Sequence, residues 1–365
     1  MSPAFGKFFL PGPTEVLPEV LAAQTRPMIG HRGPETEAML AAVDQPLRAT
    51  FRTSQPVMIA TCSATGFMES AIRCGVKKKV LCLVNGAFSQ RFADIAIACG
   101  REVQVAKIEL GLTFEPDQVR QLVRDSGCDA VTMVHSESAT GALNPVEALA
   151  AVARSAGDVM VLVDGVTSVG GSPVETDAWG LDFVLTGSQK ALALPPGLAL
   201  GVASPRLLER AKALPGRGIY LDLVAYHEQI LKNQTPYTPG VSLLYALHAQ
   251  MGRILASGGI EARWKRHDAM RARVEQWAAE KGAELGISFL PKEGRRSWTV
   301  SCLKLAHAEP NGGAIAKRME ARGFVIAPGY GKLKDSTFRI GHMGDHTVPE
   351  LEALLDELAE VLRRG

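Results

Sequence analysis

From Lys79 to Ala203 the chain alternates short apolar runs with segments of helical spacing, and this alternation narrows the fold more than any other feature. Lys79–Val84, Glu102–Lys107, Ala130–Val134, Val159–Asp164 and Leu198–Ala203 predict strands, as does the run beginning at Val184. Phe92–Cys99 and Asp117–Arg124 predict helices among them. A strand followed by a helix cannot pair with the next strand as a hairpin, so the chain must cross back over the sheet each time. The result is a mainly parallel sheet. With 365 residues and 46% hydrophobic content, the chain can bury two cores. We expect an arm over residues 1–17, a large α/β domain over 18–257 and a small α+β domain over 258–365, divided near the break at Ala256-Ser257-Gly258-Gly259-Ile260.

Two isolated charges stand where strands end. Lys190 is the only charged residue between Asp182 and Arg206, and is followed by Ala191-Leu192-Ala193-Leu194 and Pro195-Pro196-Gly197. An ammonium in apolar surroundings is costly to keep charged, so its pKa falls and the free amine becomes a nucleophile towards carbonyl carbon. A lysine snorkelling to solvent fits the same residues. Asp164 closes the run Val159–Val163 and is the only charge between Asp158 and Glu175. It thus occupies the carboxyl end of a strand, where open α/β sheets bind ligands, and a buried carboxylate there needs a positive partner. A strand ending in aspartate and another ending near a lysine together suit pyridoxal phosphate, attached through the lysine with its ring nitrogen protonated beside the acid.

The blocks Val163-Asp164-Gly165-Val166-Thr167-Ser168 and Gly187-Ser188-Gln189-Lys190-Ala191, followed by Pro195-Pro196-Gly197, resemble the class V aminotransferases of fold type I. Within these the likeness is to the alanine-glyoxylate and serine-pyruvate (serine-glyoxylate) group, and it runs over nearly the whole chain. It implies an aspartate aminotransferase-like fold: a large domain on a mainly parallel seven-stranded sheet and a small α+β C-terminal domain. It also implies pyridoxal 5′-phosphate as cofactor, with Lys190 and Asp164 as the catalytic pair.

Further site residues follow from the same resemblance. The cofactor phosphate is expected on Ser63, Ala64 and Thr65, where a small-residue loop opens a helix read from Phe67 to Cys74; any serine-capped helix looks the same on residues alone. Phe88 matches the aromatic that lies against the pyridine ring, although a phenylalanine after a strand also suits plain core. Ser138, Val166 and Gln189 match further cofactor contacts. Thr235, Tyr237 and Thr238, in a proline-punctuated loop before a helix near Val241, match a segment that reaches the phosphate of a neighbouring subunit; an ordinary turn fits as well. This implies a homodimer with shared active sites. Gly12, in Leu10-Pro11-Gly12-Pro13, and Arg339, in Phe338-Arg339-Ile340-Gly341, match the groups that hold a substrate carboxylate. Guanidinium suits that task, yet strand alternation permits a solvent-facing Arg339 and the prolines permit a simple opening turn at Gly12.

Forty basic and 38 acidic residues give a net charge of +2 without a long run of one sign, so neither nucleic acid nor an anionic membrane is expected as partner. Six cysteines lack metal-ligand spacing, and His135 has no second histidine or cysteine at such spacing, so no metal is expected. A reducing, cytoplasmic setting fits, and no apolar run is long enough to span a bilayer. The expected activity is transfer of an amino group from alanine or serine to glyoxylate or pyruvate, in two ping-pong half-reactions. Gln189 stands where many class V lyases carry histidine, and no cysteine follows Cys302 as a desulfurase would need, so a same-fold lyase is the weaker rival. A 2-aminoethylphosphonate–pyruvate aminotransferase shares these motifs and is the stronger one. A serine-lysine hydrolase built on Ser188 and Lys190 lacks an evident oxyanion loop.

Overall fold

The strand runs pair into one sheet whose carboxyl edge gathers the marked residues. In a computed structural model, described over residues 5–363, the strands are β1 Met58–Ala60, β2 Lys79–Val84, β3 Glu102–Lys107, β4 Ala130–Val134, a small hairpin of β5 Ser136–Glu137 and β6 Ala142–Leu143, β7 Met160–Asp164, β8 Phe183–Gly187 and β9 Ala199–Ala203. Seven of these form the large sheet in the order β1-β9-β8-β7-β4-β2-β3. β9 runs antiparallel to both neighbours, and the other pairings are parallel. Every residue of β4, β7 and β8 is buried, as strands covered by helices on both faces require. Edge strand β3 instead alternates exposed and half-buried positions.

A second sheet, all antiparallel, has the order β10 Ile287–Phe289, β11 Val300–Leu305, β13 Thr337–Gly341, β12 Ala327–Pro328. Two hydrophobic clusters correspond to the two sheets. One runs from Val20 to Ile254. The other gathers Trp277, Phe338, Leu351, Leu355 and their neighbours, together with Phe9 from the arm. Phe9 joins that core because its N–H donates to the Val325 carbonyl at 2.8 Å and its carbonyl accepts from Gly341 N–H at 2.8 Å. Among the described residues no helix is long and apolar enough to cross a membrane.

Several boundaries differ from those the sequence predicts. The helix read as Phe92–Cys99 spans Ala87–Ala98, which puts Phe88 in its first turn rather than in a loop. The extension is held by Glu137, whose carboxylate accepts the N–H groups of Phe88 and Ser89 at 3.1 and 3.0 Å, so a distant side chain supplies the cap that Gly86 cannot. The helix read from Phe67 starts at Ala64, which brings Ala64 and Thr65 into its first turn. Trp298 lies outside β11, and the helices Val146–Arg154 and Leu223–Ile230 carry no signal that the sequence reading used.

Candidate active site

Loops leaving the carboxyl edge of the large sheet, with the arm laid across them, enclose a cavity of about 310 Å³. Its walls include Gly12, Ser63, Ala64, Thr65, Phe88, Ser138, Asp164, Val166, Gln189 and Lys190, so ten of the residues marked in the sequence meet in one place. Nine of them lie at or after the ends of β1, β2, β4, β7 and β8, where the strands deliver them to a common edge, and Gly12 comes from the arm.

Lys190 is only 8% exposed, and its amine donates to the Pro11 carbonyl. Gly12 crosses directly over it with φ +114°, and a β-carbon at that position would collide with the lysine side chain; glycine both allows the angle and leaves the space. The backbone beneath the lysine is pinned from two sides. Thr14 N–H donates to the Gln189 carbonyl at 3.0 Å and the Thr14 hydroxyl to the Lys190 carbonyl at 3.1 Å. From the other side, Arg263 Nε donates to the Ala191 carbonyl at 2.9 Å while its guanidinium pairs with Asp345 at 2.6 Å. Gln250 Nε2 bridges the Leu192 carbonyl and Asp345, both at 2.9 Å. Burial, reinforced by the nearby Arg339, pushes the Lys190 amine down to about 8, with Asp164 pulling the other way. Lys190 is therefore buried beneath the arm and does not snorkel to solvent.

Asp164 is 3% exposed, and burial pushes its carboxyl up to about 7. The positive partner expected for it is not within ion-pair distance among the described residues; its Oδ1 accepts only the Val166 N–H, at 2.8 Å. A buried carboxyl at the cavity wall, lacking a cation of its own, matches a ligand that brings a positively charged N–H, as a protonated pyridine does.

Ser63 caps the helix Ala64–Gly75 in extended conformation, but its hydroxyl makes no capping hydrogen bond. Gly66 N–H donates to the Ser63 carbonyl at 2.9 Å, but those of Ala64 and Thr65 have no acceptor within the helix and sit at the positive end of its dipole, at the cavity wall. Hydroxyl and N–H donors at one helix start form a cradle for phosphate. Phe88 supplies a flat apolar wall, its ring centroid 5.9 Å from the Lys190 amine and 5.6 Å from that of Tyr330. Pyridoxal phosphate requires a lysine, an acid for its ring nitrogen, a ring platform and a phosphate cradle, and these residues fit each part.

Arg339 stands on β13 and does not itself line the cavity, but it is bonded to Ser138, which does. Its Nη1 donates to the Ser138 carbonyl and its Nε to the Pro328 carbonyl, each at 3.1 Å, and the guanidinium carbon lies 5.5 Å from the Tyr330 ring centroid. It has no carboxylate partner among the described residues, and it is 8% exposed rather than solvent-facing. Thr235, Tyr237 and Thr238 do not line the cavity of their own chain. Thr235 Oγ1 donates to the Tyr237 carbonyl at 2.8 Å, and the Tyr237 ring stacks on Tyr220 at 5.1 Å. His135 is buried edge-on against Trp179, its imidazole pushed down to about 4 by burial and therefore neutral.

Sequence reasoning missed Glu137, although it carries the same signal as Lys190 and Asp164: it is the only Asp, Glu, Lys or Arg between Asp129 and Glu147. Fully buried, it accepts the Ser89 hydroxyl at 3.0 Å and Ala139 N–H at 3.1 Å besides the two N–H groups that begin the Phe88 helix. It thereby fixes the ring platform. Gly86 has to be glycine beside it, since a β-carbon there would strike the Glu137 carboxyl. The Arg263–Asp345–Gln250 brace has no local signal at all.

A family model for aminotransferase class-V matches residues 24–310. An uncharacterized aminotransferase of Methanocaldococcus jannaschii is 38% identical over 341 residues, covering 92% of this chain and 87% of that one. The L-aspartate–glyoxylate aminotransferase of Paracoccus denitrificans is 30% identical over 93% of this chain and 86% of its own length. Among solved structures, the alanine–glyoxylate aminotransferase of Nostoc sp. superposes with a TM-score of 0.91 at 28% identity, covering all of this chain and 96% of its own.

Proposed function

Because the chain belongs to the class-V aminotransferases, which are fold type I and depend on pyridoxal phosphate, we propose that it moves the amino group of a small amino acid, alanine or serine, to glyoxylate or pyruvate. The observation that carries the proposal is the convergence of a buried, unpaired carboxyl and a buried lysine of lowered pKa on one cavity floored by a helix start. Glyoxylate as acceptor is supported by its appearance in the names of both the Paracoccus and the Nostoc proteins.

When bound, the cofactor supplies an electrophilic carbon that exchanges amines and a ring that takes up the electron pair left when the substrate α-carbon loses its proton. Lys190 would anchor it. Once the substrate amine has displaced Lys190, the freed side chain would take the α-carbon proton, and deliver one there in the return half-reaction. Asp164 would hold the proton on the ring nitrogen, and Ser63, Ala64 and Thr65 would hold the phosphate. Phe88 would flank the ring, with Ser138, Val166 and Gln189 around it. Arg339, with backbone at Gly12, would clamp the α-carboxylate and so orient the α-hydrogen towards Lys190. Thr235, Tyr237 and Thr238 would complete a partner subunit's phosphate site in a homodimer, which accounts for their distance from the cavity of their own chain. A cytoplasmic location belongs to the same reading.

The test is the visible absorption of the purified holoenzyme with single donors. L-Alanine or L-serine is expected to bleach the band of the lysine-bound cofactor, and glyoxylate or pyruvate to restore it. Bleaching by 2-aminoethylphosphonate alone would assign the phosphonate reaction instead.

The depressed pKa of Lys190 gives a second expectation. Its amine is neutral, and hence reactive, above about 8 rather than above the ordinary 10.5. The rate at which cofactor-free protein captures pyridoxal phosphate should rise about tenfold per unit as pH climbs towards 8 and level off beyond it. A rate still climbing through pH 9.5 would contradict an activated lysine.

A further inference from the structure

Lys190 and Arg91 line the cavity and Arg339 lies next to it against Ser138, and two of these three cationic side chains are engaged by backbone: Lys190 by the Pro11 carbonyl, Arg339 by those of Ser138 and Pro328. The third, Arg91, is not. It lies in the helix Ala87–Ala98 one turn beyond Phe88, lines the cavity, and holds its guanidinium carbon 4.9 Å from the Phe88 ring centroid. Among the described residues it makes no hydrogen bond or ion pair. The acids near it are otherwise committed: Glu137 takes N–H and hydroxyl donors from Phe88, Ser89 and Ala139, and Asp164 takes Val166 and, in the reading above, the ring nitrogen.

We propose that Arg91 forms a second anion subsite, which lets this enzyme take amino donors whose short side chain ends in an anionic group, in addition to alanine or serine. The proposal rests on the aminotransferase reading, since it presumes that Arg339 binds the α-carboxylate and the helix start at Ser63 binds phosphate. With those two anions placed, Arg91 is the remaining guanidinium on the cavity wall with a free hydrogen-bonding edge. The Phe88 ring, 4.9 Å away, holds the guanidinium by cation–π contact, which takes up none of its N–H donors in a hydrogen bond. Arginine presents two parallel donors that match a carboxylate or a phosphoryl group. A neutral donor leaves Arg91 hydrated at no cost because the side chain is exposed, whereas an acidic donor gains a charge-assisted pair. Both kinds are therefore accepted, and the acidic kind is favoured.

The experiment uses holoenzyme of wild type, Arg91→Gln and Arg91→Lys, and measures kcat/KM for L-aspartate, L-asparagine, O-phospho-L-serine and L-alanine with glyoxylate as acceptor. Asparagine has the shape of aspartate without its charge. Wild type is expected to prefer aspartate to asparagine by about tenfold or more, and Arg91→Gln to lower the aspartate-to-alanine ratio about ten- to hundredfold, with Arg91→Lys in between. Loss of the preference for phosphoserine rather than for aspartate would support the subsite and assign it to phosphoryl groups. An unchanged ratio in Arg91→Gln, or equal losses with aspartate and alanine, would overturn it, the latter by showing that Arg91 only supports the Phe88 helix. Absence of turnover with every donor in cofactor-loaded wild type would instead defeat the aminotransferase reading, and the subsite with it.

Discussion

Replacing Lys190 by alanine is expected to lower kcat/KM by about four orders of magnitude or more, with the protein still folded and still able to bind pyridoxal phosphate at the helix start of Ser63. Two losses combine. The covalent anchor goes, and so does the only amine placed to move the α-carbon proton; general acid–base catalysis alone contributes about 10²- to 10⁴-fold. Folding should survive, because deleting a buried amine of lowered pKa removes a group that burial itself disfavours. The contacts that shape this turn, from Thr14, Arg263 and Gln250, all reach backbone carbonyls and remain. Steady-state turnover and the absorption spectrum check it: the band of the lysine-bound cofactor should vanish while free cofactor is retained, and small added amines should restore part of the proton transfer. A variant keeping more than about one per cent of activity would place the proton carrier elsewhere.

Asp164→Asn is expected to reduce turnover about 10²- to 10³-fold, with a much smaller effect on donor affinity. An amide is nearly the same size and can still accept from Val166 N–H, but it carries no negative charge to hold a proton on the ring nitrogen. Low-dielectric surroundings make that charge count for more than it would in water. The same substitution has an opposite signature in cofactor-free protein. The folded-state pKa of Asp164 lies at about 7, above the ordinary 3.8, so the folded protein holds this proton more tightly than the unfolded chain does. Stability is then lost as pH rises from about 4 to 7, and the full penalty stands above 7. Cofactor-free Asp164→Asn should therefore gain most thermal stability relative to wild type at pH 8 and distinctly less at pH 5. Equal differences at the two pH values would mean that Asp164 is not the buried acid responsible.

The two largest effects rest on residues whose sequence neighbourhoods already marked them, and the same was true of Glu137, which went unread. A charge that is alone in an apolar run must either escape to solvent or be given a purpose, because burying it unpartnered is costly. Strand and helix alternation, likewise, is a local property of covalent neighbours, and it was enough to require a mainly parallel sheet with its ligand edge at the strand ends. Helix starts were read late wherever the cap came from far away, as with Glu137 and the helix that carries Phe88.

Residue order alone was thus enough for the class of fold, for the sheet edge at which the loops gather, and for the isolated lysine and aspartate that line the cavity there. Tertiary structure alone decided the rest. Pro11 meets Lys190 across 179 positions of chain, Arg339 meets Ser138 across 201, and the Arg263–Asp345 brace bears on Ala191 from helix and loop far downstream. No periodicity encodes such meetings, since each depends on how two separately built cores dock and where their loops end. Arg91 shows the same limit from the other side: its lack of a hydrogen-bond or ion-pair partner among the described residues is a fact of three dimensions, invisible in a stretch that reads only as Gln90-Arg91-Phe92.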